Sequence, residues 1–365
     1  SRLSKNVVEI NIDDEICKPL ISSQDIDRYC LAVPSLTIIF PYALQSGQVK
    51  LLPENILKQK YPLCWRHLKT HEDFLRARDS TKMDHDGWYG YSRNQNLNKQ
   101  DKAKIVIAGT ALCIEGAVDS DGAFATNDKR VYSVFAPIEN LHFLCAILNA
   151  PVCNFVFRRI ARPKDGGYFD IETQFLAPLP VPKATKKQKK DVGYRAKALQ
   201  ELHTKRRDKL AALEKRFSTC PVKKHNEDWL FPQIGSTDHW KAEAPQELSA
   251  RDKTKWAKEQ RRLKIEERLE AIDSRLTPAA QLAAGFKDGE LWFAIDGVSV
   301  IDKVFVSDSD GQHILTYWQH LALTTPITEK FKVQTLVGKL LATPMTDNAE
   351  LSAQITKLTA EIAAL

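Results

Sequence analysis

The sequence predicts an α+β protein in three parts. These are a mixed α/β domain over residues 1–182, a basic hinge with long spacer helices over 183–277, and a small α+β module over 278–365. Three observations carry the prediction. Short apolar runs rich in β-branched residues alternate with helical patterns in the first half. Two long stretches of helical periodicity and mixed charge fill the middle. The last part sets two strand-like runs around Asp296-Gly297 and closes on an amphipathic stretch.

In the first part, Leu36 to Phe40, Ile105 to Ala108 and Val131 to Phe135 read as strands. Between the first two, the stretch from Tyr61 has a helical pattern, with Leu63, His67, Phe74 and Leu75 on one side. It breaks at Asp79-Ser80. An aromatic, basic and amide-rich loop follows: Trp88, Tyr89, Tyr91, Arg93, Asn94, Gln95 and Asn96. Asn140 to Asn149 reads as a helix with Asn140 as N-cap. Pro178, Pro180 and Pro182 end the domain, because repeated prolines continue neither a helix nor a central strand.

Lys183 to Lys190 reads as a lysine-rich hinge. A helix is expected from Val192 to Phe217, with Leu199, Leu202, Leu210, Leu213 and Phe217 on its apolar stripe and Pro221 beyond its end. Residues 222 to 248 are irregular and aromatic, with Trp229, Phe231, His239 and Trp240. A second long helix is expected from Ser249 to Leu276, its apolar positions Leu263, Leu269, Ile272 and Leu276, with Trp256 earlier. The two long helices are expected to pair as an antiparallel hairpin. In the last part, Leu291 to Ile295 and Val298 to Val306 read as strands, Ser309-Asp310-Gly311 as a turn and His313 to Leu323 as a helix. Residues 346–365 read as a helix capped by Thr346 or Asp347, with Leu351, Ile355, Leu358 and Ile362 as its stripe.

Composition bounds the function classes. The chain of 365 residues is 43% hydrophobic and 27% charged, the balance of a soluble globular protein with room for two or three domains. No apolar run approaches the roughly 18 residues that span a bilayer, and no secretory signal opens the chain. Its first residues read like the interior of a longer protein. Seven dispersed cysteines predict reduced thiols and a cytoplasmic protein. The net charge of +7 is uneven: Lys183 to Arg216 holds thirteen Lys/Arg against four Asp/Glu, a local +9, which leaves about −2 elsewhere. Such a stripe is either a footprint for a polyanion or a solvated helix face.

Several segments resemble, in order and spacing, the C-terminal specificity (target-recognition) domain of Taq-type adenine-N6 DNA methyltransferases of restriction–modification and phage-defence systems. They are Cys17 to Tyr29, the strand ending Phe40-Pro41-Tyr42, Tyr61-Pro62 with Leu68-Lys69, Arg78, and Trp88-Tyr89 with Arg93 to Asn96. Leu144 to Ala150 with Asn154 to Phe157, then Gly166-Gly167-Tyr168 and Leu179 to Pro182, complete the set. Ala150 stands where the family usually has Ser. The resemblance implies a reader of double-stranded DNA without catalytic residues of its own. The family's glycine-rich S-adenosylmethionine loop and its Asn-Pro-Pro-Tyr-type motif are not found in the sequence. S-adenosylmethionine and the chemistry are therefore expected on a partner catalytic methyltransferase domain or subunit, with no cofactor on this chain and no membrane partner.

A DNA reader holds phosphates for affinity and reads base edges for sequence choice. Phosphate contact is assigned to Lys69, Arg76, Arg78, Lys99, Lys102 and Lys104, and to Lys186, Lys187, Lys189 and Lys190, against the plain reading of surface charge. Base contact is assigned to Arg93, which forks onto guanine, and to Asn94, Gln95 and Asn96, which suit adenine. The plain alternative is that the amides cap turns while Trp88 and Tyr89 fill the core. A second basic turn holds Arg158, Arg159, Arg162 and Lys164 beside Gly166-Gly167. Glu115, Asp119, Asp121 and Asp128 flank another loop and read as solvent-facing acids rather than a metal site. His67, His71, His142 and His313 read as packing or surface residues. Two other classes stay open: a protein–protein scaffold subunit of a defence complex, and a nuclease whose carboxylates form no recognisable motif.

Overall fold

The computed structural model describes residues 9–45, 47–126, 130–278, 280–328 and 330–365. The fold is α+β, with several small sheets and long helices. Its contacts divide it into two compact units, residues 1–204 and 205–365. The sequence-based boundaries at 182/183 and 277/278 thus stand beside a single division that falls inside the long helix Lys186–Thr219.

The first unit is built on Lys104–Ala108, the middle strand of a sheet in which it pairs antiparallel with Val131–Val134 on one side and Gly116–Asp119 on the other. Its side chains alternate by the period of two. Ile105 and Ile107 join one apolar cluster with Leu141, Cys145 and Phe157, while Val106 joins another with Ile21, Ile26 and Val131. A strand covered on both faces needs apolar residues at successive positions, which is why the uninterrupted run is legible.

A third cluster gathers Leu57, Tyr61, Cys64, Trp65, Leu68, Trp88 and Tyr89. The helices Glu54–Lys60 and Pro62–Thr70 supply Leu57, Cys64, Trp65 and Leu68, and the next helix, Glu72–Arg76, adds only half-buried Leu75. The single helical pattern expected from Tyr61 is thus broken at His71, and its buried face is Cys64, Trp65 and Leu68, while Phe74 is exposed. The expected stripe was drawn through Phe74 and Leu75, which belong to the next helix, so it lies one position off the face that Pro62–Thr70 buries.

Other boundaries also move. The helix expected from Asn140 spans Ile138–Asn149, and Asn140 lies inside it, its N–H donating to Pro137 O. The expected lysine hinge is largely helix, since Lys186–Thr219 begins at the lysines. Thr185 N–H donates to Gln188 Oε1 at 2.8 Å and Gln188 N–H to Thr185 Oγ1 at 3.3 Å, a reciprocal cap of the Thr-x-x-Gln type. That signal is present in the sequence and gives the true start.

In the second unit, Leu282–Lys287, Glu290–Ile295 and Val298–Phe305 form an antiparallel meander. Two Asp-Gly loops join them, with Asp288 and Gly289 at φ 52° and 81° and Asp296 and Gly297 at 48° and 76°, the left-handed pair that two-residue hairpins require. The first strand was missed at Asp288-Gly289, although its turn signal equals that at Asp296-Gly297. Gly285 sits opposite Trp292, and a Cβ there would lie 2.1 Å from the indole, so only glycine admits the ring.

The sheet packs against Ile314, Trp318 and Leu321 of Asp308–Thr324, and against Val333, Leu336, Val337 and Leu340. Ser309-Asp310-Gly311, expected as a turn, is the first turn of that helix, which Ser307 caps by accepting from Asp310 N–H. Ala250–Asp273, expected as a spacer, packs into this core. Its buried positions are Ala257, Arg261, Ile265 and Leu269, at steps of four, whereas Leu263 is exposed. Buried Arg261 donates to Gly235 O and Glu227 O and pairs with Asp228 at 2.9 Å, tying the 222–248 segment to the helix. That segment also contributes Val222–Lys224, paired with Ala342–Pro344. The last helix, Ala349–Ala364, follows Asn348, with Asp347 Oδ1 accepting from Ala349 N–H. Its Leu351 and Ile355 pack with Leu213 and Phe217.

Candidate nucleic-acid interface

The loop expected to read bases begins on a rigid footing. Trp88 is fully buried, and its ring lies 5.8 Å from that of Trp65 and 5.5 Å from that of Tyr89. Arg78 closes the loop's base: Nε donates to Leu75 O, and Nη2 donates to Trp88 O at 2.6 Å and Gly90 O at 2.9 Å. Tyr89 Oη donates to Leu52 O, and Tyr42 Oη accepts from Tyr91 N–H at 2.5 Å. Tyr91 Oη donates to Ile39 O, and burial raises its phenol far above the usual range.

Ser92 to Asn96 then emerges exposed, and the chain re-enters the core at buried Leu97 after a left-handed Asn96, φ 59°. The finger is therefore pinned by Tyr91 at one end and Leu97 at the other. A cleft of about 440 Å³ runs along one side, where Arg93, Gln95, Asn96 and Lys99 stand over Leu20, Ile38, Tyr132 and Phe135. Lys99 Nζ lies 5.5 Å from the Phe135 ring. Asn94 lines a different cleft, of about 510 Å³, on the other side of Tyr91. The four expected base readers thus share one exposed finger, three on one wall and one on the other.

The expected phosphate contacts divide sharply. Lys69 and Arg76 are both ion-paired to Glu72, Arg76 also reaches Asp84 at 3.1 Å, and both cations lie over the Trp88 ring. Lys69 first, then Arg76, lower the Glu72 carboxyl below its usual range. With Arg78, these residues hold the aromatic cluster and the loop base together. Lys104 is not a surface cation: it is fully buried, pairs with Asp119 at 2.8 Å and donates to Gln100 O at 3.0 Å. Asp119, expected to face solvent, is buried with it and accepts from Ala123 and Phe124 N–H. Asp128 lies outside the described residues.

In the second basic turn, Arg158 donates to Leu112 O, Arg159 lies 3.4 Å from the centre of the Phe155 ring and Lys164 pairs with Asp170, while Arg162 is exposed. Lys186, Lys187 and Lys190 are exposed on the first turns of the long helix, and Lys189 Nζ lies 5.9 Å from the Phe143 ring. No acidic residue accompanies them in the first turn. Cations there oppose the helix dipole and reinforce its attraction for anions.

Sequence reasoning missed the residues that hold the sheet under the site. Asn154, Asn149 and Gln200 each present a side-chain carboxamide to one backbone residue of the edge strand and its approach. Oδ1 of Asn154 accepts from Ile114 N–H at 2.6 Å and its Nδ2 donates to Ile114 O at 3.3 Å. Asn149 does the same for Gly116, at 3.0 and 2.8 Å, and Gln200 for Val118, at 2.9 and 2.7 Å. All seven cysteines are free thiols. Among the described residues, no three His, Cys, Asp or Glu side chains gather as metal ligands, and no single helix is long and apolar enough to cross a membrane.

No protein-family model matches the chain, and no curated protein matches it.

Proposed function

We propose that this chain is the target-recognition part of a DNA-modifying system of the adenine-N6 methyltransferase type, which binds duplex DNA while a separate domain or subunit carries the chemistry. The observation that supports this most is the Ser92–Asn96 finger: an exposed row of Arg93, Asn94, Gln95 and Asn96 held between hydrogen-bonded, half-buried Tyr91 and buried Leu97, with Lys99 on the same cleft wall as three of them. Arg, Asn and Gln are the side chains that make two-pronged bonds to base edges, and readout requires that they be positioned before the ligand arrives. The exposed lysines from Lys186 to Lys190 supply sequence-independent attraction for phosphate.

The test is duplex binding over a salt series. Arg93→Ala is expected to change sequence choice, whereas neutralising Lys186, Lys187, Lys189 and Lys190 is expected to weaken all sequences alike and flatten the salt slope. Unaltered binding by both variants would refute the reading. A partner-binding subunit is the second reading, favoured by the exposed Val152 and Phe155 on the helix Pro151–Ile160. It predicts a stable protein complex and no salt-sensitive binding to DNA.

A further inference from the structure

Resting on the DNA-binding reading, we propose that the Ser92–Asn96 finger has two reading faces, and that Lys82, His85 and Asn94 contact the second strand of the duplex whose first strand lies along Arg93 and Gln95. The cleft on the Asn94 side, about 510 Å³, is lined by Lys82 and His85 as well as by Asn94, and all three side chains are exposed. The two clefts share Tyr91, the residue at which the finger leaves the core, and successive finger residues alternate between them, Ser92 and Asn94 lining one and Arg93 and Gln95 the other. A duplex groove offers that arrangement, with a strand on either side of whatever enters it.

The second wall is held as firmly as the first. Asp79, Ser80 and Thr81 are successive non-glycine residues in the left-handed region, φ 49°, 57° and 65°. Such backbone persists only where its surroundings fix it, and it concentrates at binding sites. Backbone bonds run across this segment, from Lys82 N–H to Asp79 O at 3.4 Å and from Asp84 N–H to Thr81 O at 3.0 Å, and just beyond it Arg76 Nη1 donates to His85 O and pairs with Asp84, both at 3.1 Å. His85 Nδ1 accepts from Gly87 N–H at 2.9 Å, so the ring's N–H is on Nε2 and is free of that bond to donate outward. Lys82 adds a point charge and Asn94 both a donor and an acceptor. Beside the Asp79 carboxylate, which also lines it, this cleft offers the Lys82, His85 and Asn94 donors to phosphate and base acceptors.

The test compares this chain carrying Lys82→Ala/His85→Ala with the chain carrying Arg93→Ala/Gln95→Ala, each on a duplex and on the separate strands. Thermal melts confirm that the exposed substitutions leave the fold intact. The expected result is about tenfold weaker duplex binding by the first variant and a salt slope smaller by about one, with less than a twofold change on single strands. Unchanged duplex binding by that variant, while Arg93→Ala/Gln95→Ala binds weakly, overturns the second face and leaves the DNA reading standing. Equal losses on duplex and single strands overturn the assignment to a second strand. No loss by either variant removes both.

Discussion

Arg78 and Arg93 stand fifteen positions apart in the same basic stretch, and they have opposite fates. Arg78 gives its guanidinium to the carbonyls of Leu75, Trp88 and Gly90. Arg93 lies exposed on the wall of a cleft. The whole of each neighbourhood follows suit. Residues 69–78 use their cations on Glu72, Asp84 and the Trp88 ring, whereas in residues 92–99 Arg93 is held out to solvent and half-buried Lys99 lies beside the Phe135 ring with no carboxylate partner among the described residues. Composition alone makes both segments look like DNA contacts. What separates them is whether a carboxylate or a carbonyl already satisfies the charge, and that is decided by three-dimensional neighbours.

The strongest way to break this contrast is at the most internal cation. Asp119→Ala leaves Lys104 buried without its partner and is expected to cost about 3–5 kcal/mol of stability in urea unfolding. Lys104→Met, which removes the charge and keeps the bulk, is expected to cost clearly less. Arg78→Ala comes next: it strands buried carbonyls and should cost about 2–3 kcal/mol, with DNA binding lost in proportion to disorder of the finger. Arg93→Ala should sharpen the contrast, leaving the melting temperature within error while altering sequence choice by about 1–3 kcal/mol.

The smallest expected effect lies in the second unit, where burial lowers the His320 pKa and Glu214, at 3.7 Å, opposes this only in part. A histidine with a depressed folded pKa favours folding above its unfolded pKa of about 6.5. Stability is therefore expected to decline as the pH falls below that value, and His320→Gln should flatten the decline in urea titrations between about pH 5 and 7.

How much of this was legible depends on where each residue's partners lie. The Ile105 to Ala108 strand is legible because its two covered faces are both written in consecutive residues. The exposure of Arg93 to Asn96 is legible because a polar, amide-rich loop has no apolar side chains to bury. Lys104 is not legible, since its partner Asp119 lies fifteen residues on and nothing local marks either as buried. Nor are Asn149, Asn154 and Gln200, whose partners are backbone groups that every residue possesses. The helix start at Lys186 was written in Thr185 and Gln188, but lysine richness argued for a hinge and masked the cap.

The three carboxamides have a consequence for life outside the folded state. Gly116–Asp119 is the last strand of its sheet, with donors and acceptors on its outer side at alternate residues. An open edge of this kind is a template on which another chain's strand can add. Here the template is occupied, because each carboxamide returns one acceptor and one donor as a neighbouring peptide would. The occupants come from 40, 33 and 82 residues further along the chain. A chain emerging from the ribosome therefore makes its strand well before it makes the last of the groups that seal it. During that interval it is vulnerable to self-association, and loss of Gln200 is the change that would prolong it.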